Sequence, residues 1–243
     1  MLLEAARWRY EETADVARNL RMPESPVRTD WWIRLLFVAV ALGLWFWTQN
    51  LIGEQHHETG SIGDTVHRVL AVPNLYLQTH RSAASTLLIV SSAVIDALGI
   101  FLLLRSVWGS TLRPFLSLLL LFGMRQICQL LTTLDPPAGM VWHDPGFPSL
   151  LVTYHVATDF FFSGHTGIAV LGAVELASLG GRRWLYCGIA IVVFEATTVL
   201  LLRAHYTLDV FTGAVAARYA AILAAQIAPC FDSQLAKTFR RAD

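Results

Sequence analysis

The chain is predicted to be all-α: a six-transmembrane-helix bundle with both termini in the cytoplasm. Three observations carry this. Of the 243 residues 55% are hydrophobic and only 15% charged. Apolar runs of about 20 residues, the length that crosses a bilayer, recur along the sequence. Lys and Arg collect at alternate ends of those runs, as they do where positive residues are retained in the cytoplasm. Such a composition excludes a water-soluble globule, and a formal net charge of zero gives no reason to expect nucleic acid as a partner.

The chain opens with a charged segment, 1–30, rich in Arg and Glu and broken at Met22-Pro23-Glu24-Ser25-Pro26. No cleavable signal peptide is apparent, because the first apolar run begins only at Trp31. The six predicted spans are 31–52, 82–104, 113–133, 160–180, 184–202 and 206–228. In lipid every backbone amide must be satisfied within its own element, so each run is read as a helix and not a strand. The organisation is therefore a cytoplasmic N-terminal segment 1–30, a six-span catalytic membrane domain 31–229 and a cytoplasmic tail 230–243.

Arg34, Arg105, Arg113, Arg182, Arg183, Lys237, Arg240, Arg241 and the arginines of the first 30 residues fall on one side, against Arg68, Arg81 and Arg203 on the other. All eight histidines lie on the arginine-poor, outer side. His56, His57, His67 and His80 read as loop polarity, which leaves the histidines around the fourth and sixth spans as candidates for chemistry.

The fourth span opens with Asp159-Phe160-Phe161-Phe162-Ser163-Gly164-His165-Thr166-Gly167 and the sixth with Arg203-Ala204-His205-Tyr206-Thr207-Leu208-Asp209. Both enter from the outer face, so each is expected to present unpaired backbone N–H groups and a positive dipole end to a phosphate there. Ser163 is a natural N-cap, and Gly164 lets the backbone come close. His205 and Asp209 stand i, i+4, a spacing at which a carboxylate can hold the imidazole in one tautomer. His205 is the expected nucleophile, and His165 supplies the proton that a leaving oxygen needs. This set works without metal or cofactor.

Ser163-Gly164-His165 with His205-xxx-Asp209 resembles the second and third signatures of the type 2 phosphatidic acid phosphatase superfamily. The sphingomyelin-synthase-like branch is the closer match, because Phe162 stands where the phosphatases carry Pro and Asp159 precedes His165 by six. The segment also looks like the phosphatidylcholine:diacylglycerol cholinephosphotransferases of that branch. Arg113, Arg125, Thr132 and Thr133 resemble an arginine-rich motif of the synthases, with Leu112 in place of its first Arg. The phosphatases' first motif is absent, Ser106 standing where its Lys is required, and so is the Ser-Arg pair before the third-motif histidine.

The resemblance implies a site on the non-cytoplasmic face that moves phosphocholine or phosphoethanolamine from a glycerophospholipid to ceramide or diacylglycerol through a phosphohistidine. Catalytic roles fall to His165, His205 and Asp209, and substrate binding to Arg125, Asp159, Ser163, Gly164 and Arg203. A lipid phosphate phosphatase or phospholipase C-like hydrolase using the same site is the second reading, and a transporter the third.

Asp96, Arg125, Glu175, Glu195 and Arg218 fall inside apolar runs, where an unpaired charge costs about 2.5–3.5 kcal/mol, so they are expected to face one another or a polar cavity. Arg125 either sits beneath the phosphate or pairs with Asp96 or Glu195. Asp159 with His155 assists His165 or caps the fourth span. Trp31, Trp32, Trp45, Trp47, Trp108, Trp142 and Trp184 read as interface anchors, and Cys128, Cys187 and Cys230 as packing residues.

Overall fold

The computed structural model describes residues 31–53, 62–154 and 160–240. The N-terminal segment 1–30, His56, His57, His155 and Asp159 lie outside the described residues. Among those described the chain is helical and without strands: α1 (Trp31–Gly53), α2 (Thr65–Val69), α3 (Ala71–Thr79), α4 (Arg81–Val107), α5 (Arg113–Leu131), α6 (Gly164–Ser178), α7 (Arg182–Leu201) and α8 (Thr207–Arg240). Five of these, α1, α4, α5, α7 and α8, are long and apolar enough to cross a membrane. The protein is an integral membrane protein.

The fourth predicted span is shorter than the apolar run suggested. Residues 160–163 are not helical. α6 starts at Gly164 because the Ser163 hydroxyl takes the Thr166 amide at 3.3 Å as an N-cap. It stops before Gly180 and Gly181, whose φ of 81° and 84° only glycine adopts readily. Fifteen residues span about 22 Å at 1.5 Å per residue, less than the roughly 30 Å of a hydrocarbon core.

This short helix is the hub of the bundle. It packs against α4, α5, α7 and α8. Ile168, Ala169, Leu171 and Leu176 share the main core with Leu98, Leu102, Leu121, Phe162 and Ala217. A sequence that is apolar on most sides fits such a largely enclosed position.

α8 continues past the predicted boundary at 228, through Pro229, to Arg240. Pro229 forgoes one backbone hydrogen bond without ending the helix. Asp232 on this extension accepts from the Leu112 amide at 3.0 Å, which satisfies an orphan donor at the start of α5. Ala224 and Ala228 pack on Leu112 and Leu116 beneath it.

The charges inside the apolar runs have separate partners. Glu175 meets Arg113 at 2.7 Å and Arg105 at 3.9 Å, at the end of α6 away from His165. Asp96 accepts from Ser149 Oγ at 3.0 Å and from the Leu150 and Leu151 amides at 2.9 Å. Fully buried Glu195 accepts from Ser91 Oγ at 2.6 Å. Arg218 departs from the expectation and is exposed on the outside of α8. Cys187 and Cys230 are exposed as well, so of the three cysteines only Cys128 is partly packed.

Candidate active site

His205 reaches its place through the turn between α7 and α8. Arg203 there has φ of 52°, its amide donates to Leu200 O at 3.1 Å, and the Ala204 amide donates to Val199 O at 2.9 Å. That pair of bonds around a left-handed residue is a Schellman motif. Val199, Leu202 and Ala204 are buried together beneath it. A non-glycine residue in the left-handed region carries a cost of roughly 1–2 kcal/mol, and the Arg203 side chain offsets it by donating to Ala138 O and, at 3.0 Å, to His67 O. Arg203 therefore ties this turn to the Ala138 carbonyl and to the His67 carbonyl of α2.

The His205 ring is fixed by a main-chain carbonyl. Its Nδ1 lies 2.9 Å from Phe160 O. A carbonyl can only accept, so Nδ1 carries the proton and Nε2 keeps its lone pair. Asp209 Oδ2 is 3.7 Å from the same nitrogen, beyond a hydrogen bond. It accepts instead from the Tyr206 amide at 2.8 Å, a capping-box contact at the start of α8. The expectation that Asp209 sets the tautomer is corrected for a simple reason: α8 starts at Thr207, so His205 is not on the helix face that i, i+4 spacing presupposes.

His67 supports His205 from the other side. It is buried, its Nε2–H donates to the His205 carbonyl at 2.9 Å, and its ring stacks on Tyr206 at 5.7 Å. The reading of His67 as loop polarity is thereby corrected.

His165 stands in the first turn of α6, buried, with Trp142 edge-on to its ring at 5.7 Å. Arg125 of α5 donates from Nε to Phe162 O at 2.8 Å, and a Cβ on Gly164 would come 3.5 Å from that nitrogen. Arg113 lies at the far end of α5 with Glu175, so of the arginine-bearing stretch only Arg125 reaches the histidines.

These groups converge on one cleft of about 700 Å³, lined by Trp45, Arg125, Trp142, Phe160, Gly164, His165, Ala204 and His205 among others. Ser163 and Asp209 are fully buried behind its wall. They are joined by the Ser163 amide donating to Asp209 O at 3.1 Å. Trp45 and Trp142 thus line the cleft and are not interface anchors, whereas Trp31, Trp32, Trp47 and Trp108 are exposed.

The two helix N-termini are not equivalent. At α8 the Thr207 amide donates to Asp64 Oδ2 at 2.6 Å and the Thr207 hydroxyl to Asp64 Oδ1 at 2.8 Å. The same carboxylate caps α2 through the Val66 and His67 amides. Burial pushes the Asp64 carboxyl up, but the hydrogen bonds from Thr207 and His67 and the nearby His67 charge outweigh it and hold it below the usual carboxylate range. The dipole end of α8 is thus occupied by the protein's own Asp64 and Asp209. Only the N-terminus of α6, at Gly164 and His165, borders the cleft, which corrects the expectation of two helix ends open to phosphate.

Sequence reasoning missed Asp64, His67, the Phe160 carbonyl and Gly213. Asp64 directly before Thr65 carried an N-cap signal. Gly213 is needed because a Cβ there would come 2.6 Å from Ser163 O. That close approach has no local signature beyond a glycine inside an apolar helix.

An apolar helical bundle whose buried short helix sets His165 in the same cleft as His205 and Arg125 places this chain among integral membrane proteins with a charged and imidazole-bearing cleft inside the bundle. The chain belongs to the AtPDCT1/2 family, the phosphatidylcholine:diacylglycerol cholinephosphotransferases, whose profile matches residues 61–226. No curated protein matches the chain. Family membership makes it a membrane transferase of phosphorus-containing groups.

Proposed function

We propose that the protein exchanges phosphocholine between phosphatidylcholine and diacylglycerol through a phosphohistidine on His205. The observation that carries this is the protonated Nδ1 of His205 on Phe160 O, which leaves Nε2 as the nucleophilic atom at a cleft shared with His165 and Arg125. In the first half-reaction Nε2 attacks phosphorus, the P–O bond to glycerol breaks, and the departing diacylglycerol oxygen takes a proton from His165. In the second, a new diacylglycerol hydroxyl gives its proton to His165 and attacks phosphorus, and the P–N bond breaks. Arg125 and the N-terminus of α6 stabilise the phosphate oxygens, and the Asp209 charge steadies the phosphoimidazole cation. Bonds of one kind are broken and formed, so the exchange runs in both directions. We assign diacylglycerol as acceptor on the family's chemistry.

The catalytic unit is the bundle 31–229. α6 with its lead-in 160–163 serves as the sixth crossing, a short one that recesses the site beneath the surface. The arginine-rich bundle end is cytoplasmic by the positive-inside rule, which puts the histidines on the non-cytoplasmic face. The test is purified protein in mixed micelles with head-group-labelled phosphatidylcholine and an acyl-distinguishable diacylglycerol. Label is expected in the new phosphatidylcholine with wild type and not with His205→Ala. Release of soluble phosphocholine or phosphate without a new lipid would replace the transferase by a hydrolase.

A further inference from the structure

A second cavity adjoins the cleft. It is a groove of about 460 Å³ between α1, α4 and α5, lined by apolar side chains throughout, among them Leu42, Leu103, Phe115 and Leu119. Trp45, Phe122 and Leu151 line both the groove and the cleft, so the two spaces share a wall. From Arg125 at the cleft to Phe115 in the groove is ten positions along α5, about 15 Å at 1.5 Å per residue.

We propose that this groove seats one acyl chain of the lipid whose phosphate lies at Arg125. This inference rests on the lipid phosphotransferase reading for the identity of that phosphate. A cleft that carries Arg125, His165 and His205 and adjoins a wholly apolar slot fits an amphiphile with its head in one and its tail in the other. A free phosphate or a soluble phosphocholine ester has nothing to place in the slot.

The neck between the two spaces is built. Leu151 stands there, and a Cβ on Gly99 would come 2.2 Å from a Leu151 methyl, so glycine at this position makes room for the Leu151 side chain. Leu151 is held there by Asp96, one helical turn from Gly99 on α4, through the Ser149 hydroxyl and the Leu150 and Leu151 amides. A carboxylate inside an apolar run is costly. Here it ties the loop 149–152 against α4, and so positions the residue at which head group and chain part.

The experiment compares wild type with Leu42→Trp and Leu119→Trp. Leu42 is half-buried and Leu119 exposed, and monodispersity in detergent confirms that each variant folds. The readout is kcat/KM for a long-chain phosphatidylcholine divided by that for a short-chain one. Filling the groove is expected to lower this ratio at least tenfold. A ratio that stays constant overturns the acyl-chain site. A second readout needs no turnover: phosphatidylcholine with a photoreactive group in mid-chain is expected to label groove-facing peptides of α1 and α5 in wild type and to lose that label in Leu119→Trp. Labelling confined to other helices overturns the proposal. Labelling of the groove in a protein that transfers no head group would support the acyl-chain site while sinking the transferase reading.

Discussion

The Nδ1–H of His205 donates to the carbonyl oxygen of Phe160 at 2.9 Å, while the Asp209 carboxylate stands 3.7 Å from the same nitrogen. A main-chain acceptor is insensitive to side-chain substitution, so the tautomer should survive loss of the acid. Asp209→Asn is accordingly expected to lower kcat without abolishing it, by about 10²-fold, as the ring loses a nearby negative charge and keeps its orientation. His205→Ala should leave no turnover. Head-group transfer assays on the two variants decide this, and equal inactivity would return the orienting role to Asp209.

His165 is assigned the proton that the leaving glycerol oxygen needs, a role worth about 10²–10⁴-fold. A substrate whose leaving group needs no proton separates it from the nucleophile. With p-nitrophenyl phosphocholine, His165→Ala is expected to recover release of nitrophenol, whereas His205→Ala should remain inactive. If His165→Ala gains nothing, it is not the acid.

Asp64 joins α2 to the first turn of α8, next to His205. Its carboxyl is held below its ordinary value of 3.8 in the folded protein, so its contribution to stability is complete above that value and is lost as pH falls through the lower folded one. Thermal melts in detergent should show wild type more stable than Asp64→Asn across neutral pH, the gap closing only in acid below about pH 4. A gap that persists unchanged into strong acid would refute this assignment.

Gly213 lets α8 lie against the Ser163 carbonyl, where a Cβ would stand only 2.6 Å away. Gly213→Ala must displace the lead-in to α6, which carries Ser163, Gly164 and His165. Overpacking of this kind costs about 1–3 kcal/mol. Activity per folded molecule is expected to fall by more than tenfold, because the displaced segment is part of the cleft. Normal activity with a lowered melting temperature would show that the strain is absorbed elsewhere.

Glu175 and Arg113 meet at 2.7 Å at the opposite end of α6 from His165. Glu175→Gln is expected to lower thermal stability by about 1–3 kcal/mol and to leave turnover per folded molecule unchanged. A double-mutant cycle with Arg113→Gln should show coupling between the two.

Composition and hydrophobic run length alone determined that this is a helical membrane protein, since burial in lipid leaves an apolar run of that length no alternative to a helix. Motif spacing alone singled out His165 and His205 as candidates, because their chemistry is written in residue type, and Arg125 stood out as a charge inside an apolar run. Where each side chain points was decided by tertiary structure. Whether His205 sat on α8 or before it depended on a Schellman turn with Arg at its left-handed position, where sequence statistics expect Gly. Whether α8 offered its N-terminus to a ligand depended on Asp64, more than a hundred residues earlier in the chain. Whether Trp142 anchored an interface or walled a cleft depended on the packing of its loop over α6. Periodicity reports only neighbours within one element, and each of these outcomes rests on hydrogen bonds and contacts between residues that the chain brings together only when it folds.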